Sequence, residues 1–242
     1  MKRPKHILVK TVFLFAVIAN VTVWAYARDV QARWLNVPPV PSEAGAISAG
    51  LGDPQFAYRT IAIMLQNLGD TGGRTTRPKD YNFERLAGWF ALVDKLDPHS
   101  NLVPSLAAFN YSNVKDPQKM QYLVEYLAHV GQNPEGNKWR WLAQAIYLLR
   151  FEMNDQEKAL EYAHLLASFD YPDMPGWVHQ MPAFIMTNMG KKEAAYALLL
   201  ELLKTKAQDL HPNEVNHTRD YICTRILEES EAAKNPICQK IP

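Results

Sequence analysis

The sequence predicts an all-α fold of stacked antiparallel helix pairs, an α-solenoid with a C-terminal capping helix, preceded by a single N-terminal apolar helix. Two periodic features indicate the stack. Prolines that close helical stretches recur 36 and 38 positions apart, at Pro98, Pro134 and Pro172. Residues that open amphipathic stretches are 36, 39 and 35 positions apart, at Asp80, Asp116, Asp155 and Gly190. A period of about 35 to 40 residues is typical of helical-repeat proteins.

Composition narrows the classes of protein to consider. The 242 residues are 48% hydrophobic and 21% charged, which is enough apolar material for a sizeable core. The 26 basic and 25 acidic residues leave a formal charge of +1, so the broad positive potential of nucleic-acid-binding proteins is missing. Alternating runs of valine, isoleucine and threonine do not occur after the N-terminal segment, so strands are not expected. We expect a helical protein that does not bind nucleic acid.

The N-terminus has the pattern of an anchor or an export signal. Four basic residues precede the apolar stretch 11–27, namely Lys2, Arg3, Lys5 and Lys10. The span from Ile7 to Ala27 has 21 residues, and a helix needs about 20 to cross a bilayer. On the other hand, Ala25-Tyr26-Ala27 has the small-x-small form of a signal-peptidase site. The basic excess predicts a cytoplasmic N-terminus, a single pass through the inner membrane and a periplasmic body. Cleavage after Ala27 would instead release the body into the periplasm.

The chain is predicted to have four segments. Residues 1–27 form the basic tail and anchor, 28–52 a spacer rich in proline and glycine, 53–228 the repeat domain and 229–242 a tail. Three prolines between Val37 and Ser42 favour extended, polyproline-like geometry, which would hold the body off the membrane. The alternative is a segment that packs along the first helices, anchored there by Trp34 and Leu35.

Capping residues and apolar periodicity predict nine helices in the repeat domain. The first begins at Asp53-Pro54, because aspartate accepts hydrogen bonds from unpaired amides and proline suits the first helical turn, and it ends at Gly69. The second begins at Asp80 and ends at Asp97. The others are predicted over 101–114, 116–130, 138–153, 155–169, 176–189, 191–204 and 212–227. The last has no partner, as expected of a helix that caps a stack.

Two stretches, WLAQAIY at 141–147 and NDQEKALEYA at 154–163, resemble tetratricopeptide repeats. A small residue early in the second helix of a pair, here Ala159 and Ala194, would let that helix approach its neighbour closely. The resemblance covers roughly residues 53–206. Proteins of this family bind peptides or partner domains on the concave face formed by the first helices, and they generally carry no cofactor. The resemblance therefore implies a scaffold or adaptor that binds another envelope protein, and not an enzyme.

The candidate binding residues are polar positions between the apolar positions of the first helices. Stacked pairs would bring them onto one surface suited to an extended peptide or a partner's helix. For any one of them, an ordinary solvated position is an equally good interpretation. The residues are Arg59, Asn110, Arg140, Gln144, Gln180 and Asn188.

The cluster Lys138-Trp139-Arg140-Trp141 combines two cations with two indole rings. Indole faces attract guanidinium and ammonium groups, so the cluster could form a cation–π platform. The favoured interpretation is a helix start with one buried tryptophan and solvated charges.

Two other functional classes have weaker support in the sequence. An enzyme acting on the cell wall would need a general acid such as Glu125, Glu228 or Glu229, but these fall on predicted solvated faces. No phosphate-binding glycine loop or nucleophile elbow occurs in the sequence. A small-molecule carrier would line a cavity between helices with the 11% of residues that are aromatic.

Cysteine and histidine residues suggest two further features. Cys223 and Cys238 are the only cysteines and are 15 positions apart, so an exported chain could bridge them. The alternative is one buried thiol and one free thiol in the tail. His211, Glu214 and His217 have the residue types of a metal site, but their spacing matches no established ligand motif. No metal or other cofactor is expected.

Overall fold

A computed structural model describes residues 4–28, 37–71, 74–171, 174–208 and 210–239. Within these ranges the regular structure is helical, apart from one antiparallel pair of two-residue strands. The predicted all-α class is confirmed. The chain divides into two compact units, residues 1–35 and 36–242.

The described part of the N-terminal unit is one apolar helix, α1 (Pro4–Ala27). Its segment Leu8–Ala27 has 20 residues and a mean hydropathy of 1.9, and none of that segment is buried. By length and composition, α1 is able to cross a membrane or to act as a signal sequence.

The second unit contains eleven helices in its described part, and three of them continue into π-helical turns. The helices are α2 (Glu43–Ala49), α3 (Pro54–Gln66), α4 (Phe83–Leu96), α5 (Leu102–Ser105, continued by Leu106–Tyr111), α6 (Pro117–Val130), α7 (Trp139–Tyr147, continued by Leu148–Glu152), α8 (Gln156–Ala167), α9 (Trp177–Asn188), α10 (Lys192–Thr205), α11 (Pro212–Tyr221, continued by Ile222–Ile226) and α12 (Glu229–Ala232). The strands β1 (Asp70–Thr71) and β2 (Arg74–Thr75) pair between α3 and α4, where the sequence predicted only a loop. The nine helices predicted for the repeat domain correspond to α3 through α11.

Aspartate caps begin three of these helices as predicted. Asp53 Oδ1 accepts from the second and third amides of α3, Asp116 Oδ1 caps α6 in the same way, and Asp155 Oδ1 accepts from an amide of α8. The prediction for α4 is wrong by two residues. Asn82 caps that helix, because Asp80 lies in a preceding 3-10 turn.

Residues 37–49 pack against the helices rather than extend away from them as a free spacer. Val37 is fully buried, and Trp89 Nε1 of α4 donates to the Pro38 carbonyl oxygen at 2.9 Å. The short helix α2 contacts α3. The sequence suggested Trp34 and Leu35 as the residues that anchor a packed segment, and both lie outside the described residues.

Consecutive helices pack against one another through most of the second unit. α6 packs on α7, α7 on α8, α8 on α9 and α9 on α10, and α4 contacts α6 directly. Gly131, which follows α6, shows how closely α6 and α7 approach, since a Cβ there would lie 2.4 Å from the Leu142 amide nitrogen. The main core runs from Val37 to Ile185. A second, smaller cluster lies near the C-terminus and contains Ala183, Ala195, Leu199, Ile222 and Ile226.

A buried ion pair joins α4 to the start of α7. Lys138 is fully buried, and its Nζ donates to Asp94 Oδ1 at 2.7 Å. Burial and the charge of Asp94 together raise the pKa of the α6 residue Tyr126 well above its ordinary value, so the carboxylate acts on α6 as well. The prediction of solvated charges around one buried tryptophan holds for Trp139 and Arg140 and is wrong for Lys138.

A disulfide ties the C-terminal tail to α11. Cys223 and Cys238 are bonded, with their Cα atoms 5.6 Å apart. Arg219 of α11 also donates to the Ile237 carbonyl oxygen at 3.4 Å. Closing the loop across a sequence separation of 15 stabilises the fold by about 3 kcal/mol in the loop-entropy treatment.

Of the two alanines expected at close helix contacts, the structure supports one. Ala159 of α8 is fully buried, whereas Ala194 of α10 is exposed and its neighbour Ala195 is buried instead. One residue corresponds to a rotation of about 100° around a helix, so the predicted register of α10 was one position off. The inward face of α10 is formed by Ala195, Leu199 and Leu202.

We predict that Ala159→Leu lowers the free energy of unfolding by about 1 to 3 kcal/mol, because the larger side chain overpacks the contact of α8 with its neighbours. Ala194→Leu is the matched control, and an exposed substitution should change stability by at most about 0.5 kcal/mol. Urea denaturation followed by circular dichroism measures both. Equal unfolding free energies for the two variants would contradict the packing described for α8.

Candidate functional site

One face of α7 carries a stripe of solvent-accessible side chains. Positions 140, 144, 147 and 151 are spaced by four, three and four residues, so they lie on one side of the helix. Arg140 is exposed, Gln144 is half-buried, and Tyr147 and Phe151 are 48% and 59% exposed. The opposite side is buried in the core through Leu142, Ala145, Ile146 and Leu149. The core therefore supports the stripe from behind.

π-helical turns end both α5 and α7. In the α7 turn, the Met153 amide donates to the Leu148 carbonyl oxygen, five residues back, at 3.0 Å. This widened turn changes the direction of the side chains at its end, and such turns are frequent at functional sites. Phe109 from the α5 turn and Leu148 from the α7 turn line the same depression.

Three neighbouring depressions lie along the stripe, and Gln144 lines all of them. The first, here called the α7–α9 pocket, has a volume of about 430 Å³. The second lies between the α5 and α7 turns, with about 500 Å³, and the third lies at the start of α7, with about 430 Å³. The three together are called the α7 groove. The lining of the α7–α9 pocket includes Arg140, Tyr147, Arg150, Phe151, Trp177 and Met181.

Aromatic rings connect the three helices around the groove. Trp139 of α7 meets Trp177 of α9 edge to face, with ring centroids 5.9 Å apart. Phe109 at the end of α5 meets Trp141 of α7 in the same way at 6.2 Å. Trp141 Nε1 also donates to Asn101 Oδ1 at 2.6 Å. Edge-to-face pairs favour defined ring orientations, so these contacts position α5 and α9 against α7.

Two guanidinium groups flank the α7–α9 pocket. Arg140 Cζ lies 5.5 Å from the Trp139 ring centroid, and Arg150 Cζ lies 4.8 Å from that of Phe151. In the part of the chain that the structure describes, neither guanidinium forms a salt bridge, and no acidic side chain lines the pocket. Burial lowers the pKa of Arg150, but a guanidinium stays protonated in proteins. The pocket is therefore aromatic and positively charged.

Of the six predicted binding residues, the structure brings Arg140 and Gln144 together in the α7 groove. Asn110 is exposed beside Phe109 but lines none of the three depressions. Arg59 on α3 and Asn188 at the end of α9 are exposed and lie outside them too. Two of the six predicted residues, both on α7, therefore share the groove, and the structure does not bring the six onto one surface.

Gln180 is a buried residue and not a surface residue, contrary to the prediction. Its side chain is 1% exposed. The reason is that α9 packs against both α8 and α10, which buries five of its twelve residues, Gln180 among them. Its first-turn residue Trp177 supplies the exposed contact with the groove instead.

The glutamates considered as general acids lie at exposed positions. Glu228 accepts a hydrogen bond from Lys192 Nζ at 2.9 Å, and this bond and the positive charge of Lys192 lower the pKa of Glu228. A general acid that works near neutral pH needs a raised pKa, so the environment of Glu228 acts in the opposite direction. Glu125 and Glu229 are also exposed.

The histidines considered as metal ligands have structural contacts. His211 Nδ1 accepts from the Asn213 amide at 3.2 Å, and the Glu214 carboxylate accepts from the His211 amide at 3.3 Å. These two bonds form a capping box at the start of α11. His217 packs edge to face against Phe184. Across the described ranges, no three His, Cys, Asp or Glu side chains are grouped to hold a metal ion.

Sequence reasoning singled out Trp139 and Trp141 but missed four other aromatic residues of the groove, Phe109, Tyr147, Phe151 and Trp177. Tyr147 and Phe151 follow Arg140 and Gln144 at helical spacing, and this signal could have identified them as part of one stripe. The approach of Phe109 and Trp177 from two other helices depends on tertiary packing and has no local signal.

The geometry of the groove suits binding. It is open to solvent and carries aromatic rings and two guanidinium groups, and the lining residues within the described ranges include no cysteine or histidine. Comparison of the chain with protein-family models, with characterised proteins and with solved structures found no match.

Proposed function

We propose that this protein is a membrane-anchored adaptor of the cell envelope that binds a segment of another envelope protein in the α7 groove. The main support for the proposal is that three neighbouring depressions share Gln144 as a lining residue. An extended peptide or a docked helix uses a row of neighbouring pockets for successive side chains. Binding of this kind needs no catalytic group and no cofactor.

The proposal treats α3 to α10 as four tetratricopeptide-like pairs, with α11 as the capping helix. Two packing features support this arrangement. Successive helices contact each other, and the second helices α4 and α6 also contact each other directly, as neighbouring repeats of a solenoid do. The groove is lined from α5, α7 and α9, which are the first helices of three successive pairs. First helices form the binding face in the family that the sequence resembles.

In this proposal α1 stays attached and crosses the inner membrane once, with the body in the periplasm. The basic residues before the apolar stretch support this orientation. At the other end, Arg28 Cζ lies 5.6 Å from the ring centroid of Trp24, a pairing suited to the membrane interface. The alternative is cleavage after Ala27 and a free periplasmic body.

We predict that the protein extracted from membranes keeps its N-terminal segment, because the apolar helix acts as an anchor. N-terminal sequencing together with intact mass measurement checks this. A mature N-terminus at Arg28 would contradict the anchor and support the cleaved form.

We predict that a photoreactive amino acid in place of Gln144 cross-links one partner protein in cells, because this position lies where the three depressions meet. The same amino acid in place of Ala194, exposed on α10 and outside the groove, is the matched control and should capture no partner.

The captured partner, once purified, then tests the surface quantitatively. Arg140→Ala combined with Gln144→Ala should weaken its binding about tenfold or more, since hydrogen bonds to charged groups contribute about 1.5 to 3 kcal/mol. Helix content should not change, because alanine is the best helix former. Arg225→Ala, at an exposed arginine outside the groove, is the control. Equal binding by the wild type and the double variant would exclude the α7 groove as the binding surface.

A further inference from the structure

The described side chains that line the α7–α9 pocket carry a net positive charge. Among the lining residues that belong to the described ranges, the charged ones are Arg140 and Arg150, and both are cations. Arg150 is only partly exposed, and its Nε is buried without a hydrogen-bond partner in the described part of the chain. An anionic acceptor brought by a ligand would balance this positive charge and form charge-assisted hydrogen bonds with a guanidinium group.

The walls of the same pocket are apolar. Tyr147, Phe151, Trp177 and Met181 line it and leave few polar atoms for neutral hydrogen bonding. Its volume of about 430 Å³ falls within the range of about 300 to 1,000 Å³ typical of ligand pockets. Ring faces and a flexible thioether accommodate a large aliphatic or aromatic group. The pocket therefore fits a group that is apolar and has a negative charge beside it.

We propose that the α7–α9 pocket selects partner segments in which an aspartate or glutamate stands next to a large apolar side chain. The carboxylate accepts hydrogen bonds from the guanidinium group of Arg140 or of Arg150, and the apolar side chain packs between the rings of Tyr147, Phe151 and Trp177. This inference rests on the proposed function and specifies the kind of segment that the adaptor binds.

The continuity of the groove favours a peptide over a small organic anion. The α7–α9 pocket shares Arg140 and Gln144 with the depression at the start of α7, and it shares Gln144 and Tyr147 with the depression between the π turns. A small anion would occupy one depression. A peptide that enters the charged pocket continues into the others. The depression between the π turns contains Asn113 and both a cation, Lys115, and a carboxylate, Glu152, and the one at the start of α7 contains Asn101.

The test is a selection of random peptides displayed on phage against the full-length protein in lipid nanodiscs, with empty nanodiscs as the counter-selection. The recovered peptides should be enriched in an acidic residue next to a large apolar one. Fluorescein-labelled copies of them should bind the wild type with an affinity that falls as salt is added. Replacing the acidic residue by its amide should weaken binding about tenfold or more.

Variants of the protein test the same contact from the other side. Arg140→Gln combined with Arg150→Gln should weaken binding of these peptides about tenfold or more, because both cations are lost. Arg140→Lys with Arg150→Lys keeps the charges and should recover part of the affinity. Arg225→Gln removes an exposed cation outside the pocket and should have no effect. Circular dichroism and thermal melting establish that each variant is folded.

Other results of these experiments would contradict either the preference for acidic segments or the adaptor function itself. Peptides that need Gln144 but show no acidic preference would overturn this inference and leave the proposed function standing. Failure to recover any peptide above empty nanodiscs would overturn both. A small organic acid that remains bound through purification and blocks the peptides would assign the pocket to a small-molecule carrier. Full binding by the folded Arg140→Gln, Arg150→Gln variant would exclude the two arginines from recognition.

Discussion

The buried pair of Lys138 and Asp94 is the constraint on which the position of α7 depends. A lysine with no exposed surface is stable only where a partner compensates its charge, and here that partner is a carboxylate on α4 at 2.7 Å. Removing either charge would leave the other uncompensated in the core. The pair therefore specifies one arrangement of α4 and the start of α7, whatever its net contribution to stability. Tyr126 on α6 lies close enough to Asp94 for the carboxylate to raise the pKa of its phenol.

The groove follows from this fixed arrangement. With Lys138 and Leu142 directed into the core, Arg140 and Gln144 lie on the accessible side, and helical spacing adds Tyr147 and Phe151. The depressions also need walls from neighbouring helices. α5 supplies a wall through the ring of Phe109, and α9 supplies another through Trp177. A surface assembled from three helices depends on their packing, so stability and binding are linked in this part of the molecule.

The sequence predicts the helices well because their ends are local features. Aspartates cap three helices as predicted, Pro98 and Pro134 follow the ends of two, and Pro172 lies outside the described residues. Arg140 and Gln144 were found because the pattern of one helix determines which positions face outward. The errors have tertiary causes. Gln180 is buried because α9 packs on two sides, and Lys138 is buried because a carboxylate 44 positions away in sequence compensates its charge. The π-helical turns change the register locally, and amphipathic periodicity does not report them.

The role of the buried pair is tested most directly by native-state hydrogen exchange of the Lys138→Met variant. Lys192→Met is the control, because Lys192 pairs with Glu228 at an exposed position. Loss of Lys138 leaves the Asp94 charge without its partner in a largely buried setting and should cost about 3 to 5 kcal/mol. Loss of the exposed pair should change stability much less, because water screens its charges. The account predicts that amides of residues 139–152 exchange much faster in Lys138→Met, while the C-terminal cluster of α10 and α11 keeps its protection. Unchanged protection of α7 in that variant would contradict the claim that the pair positions the groove.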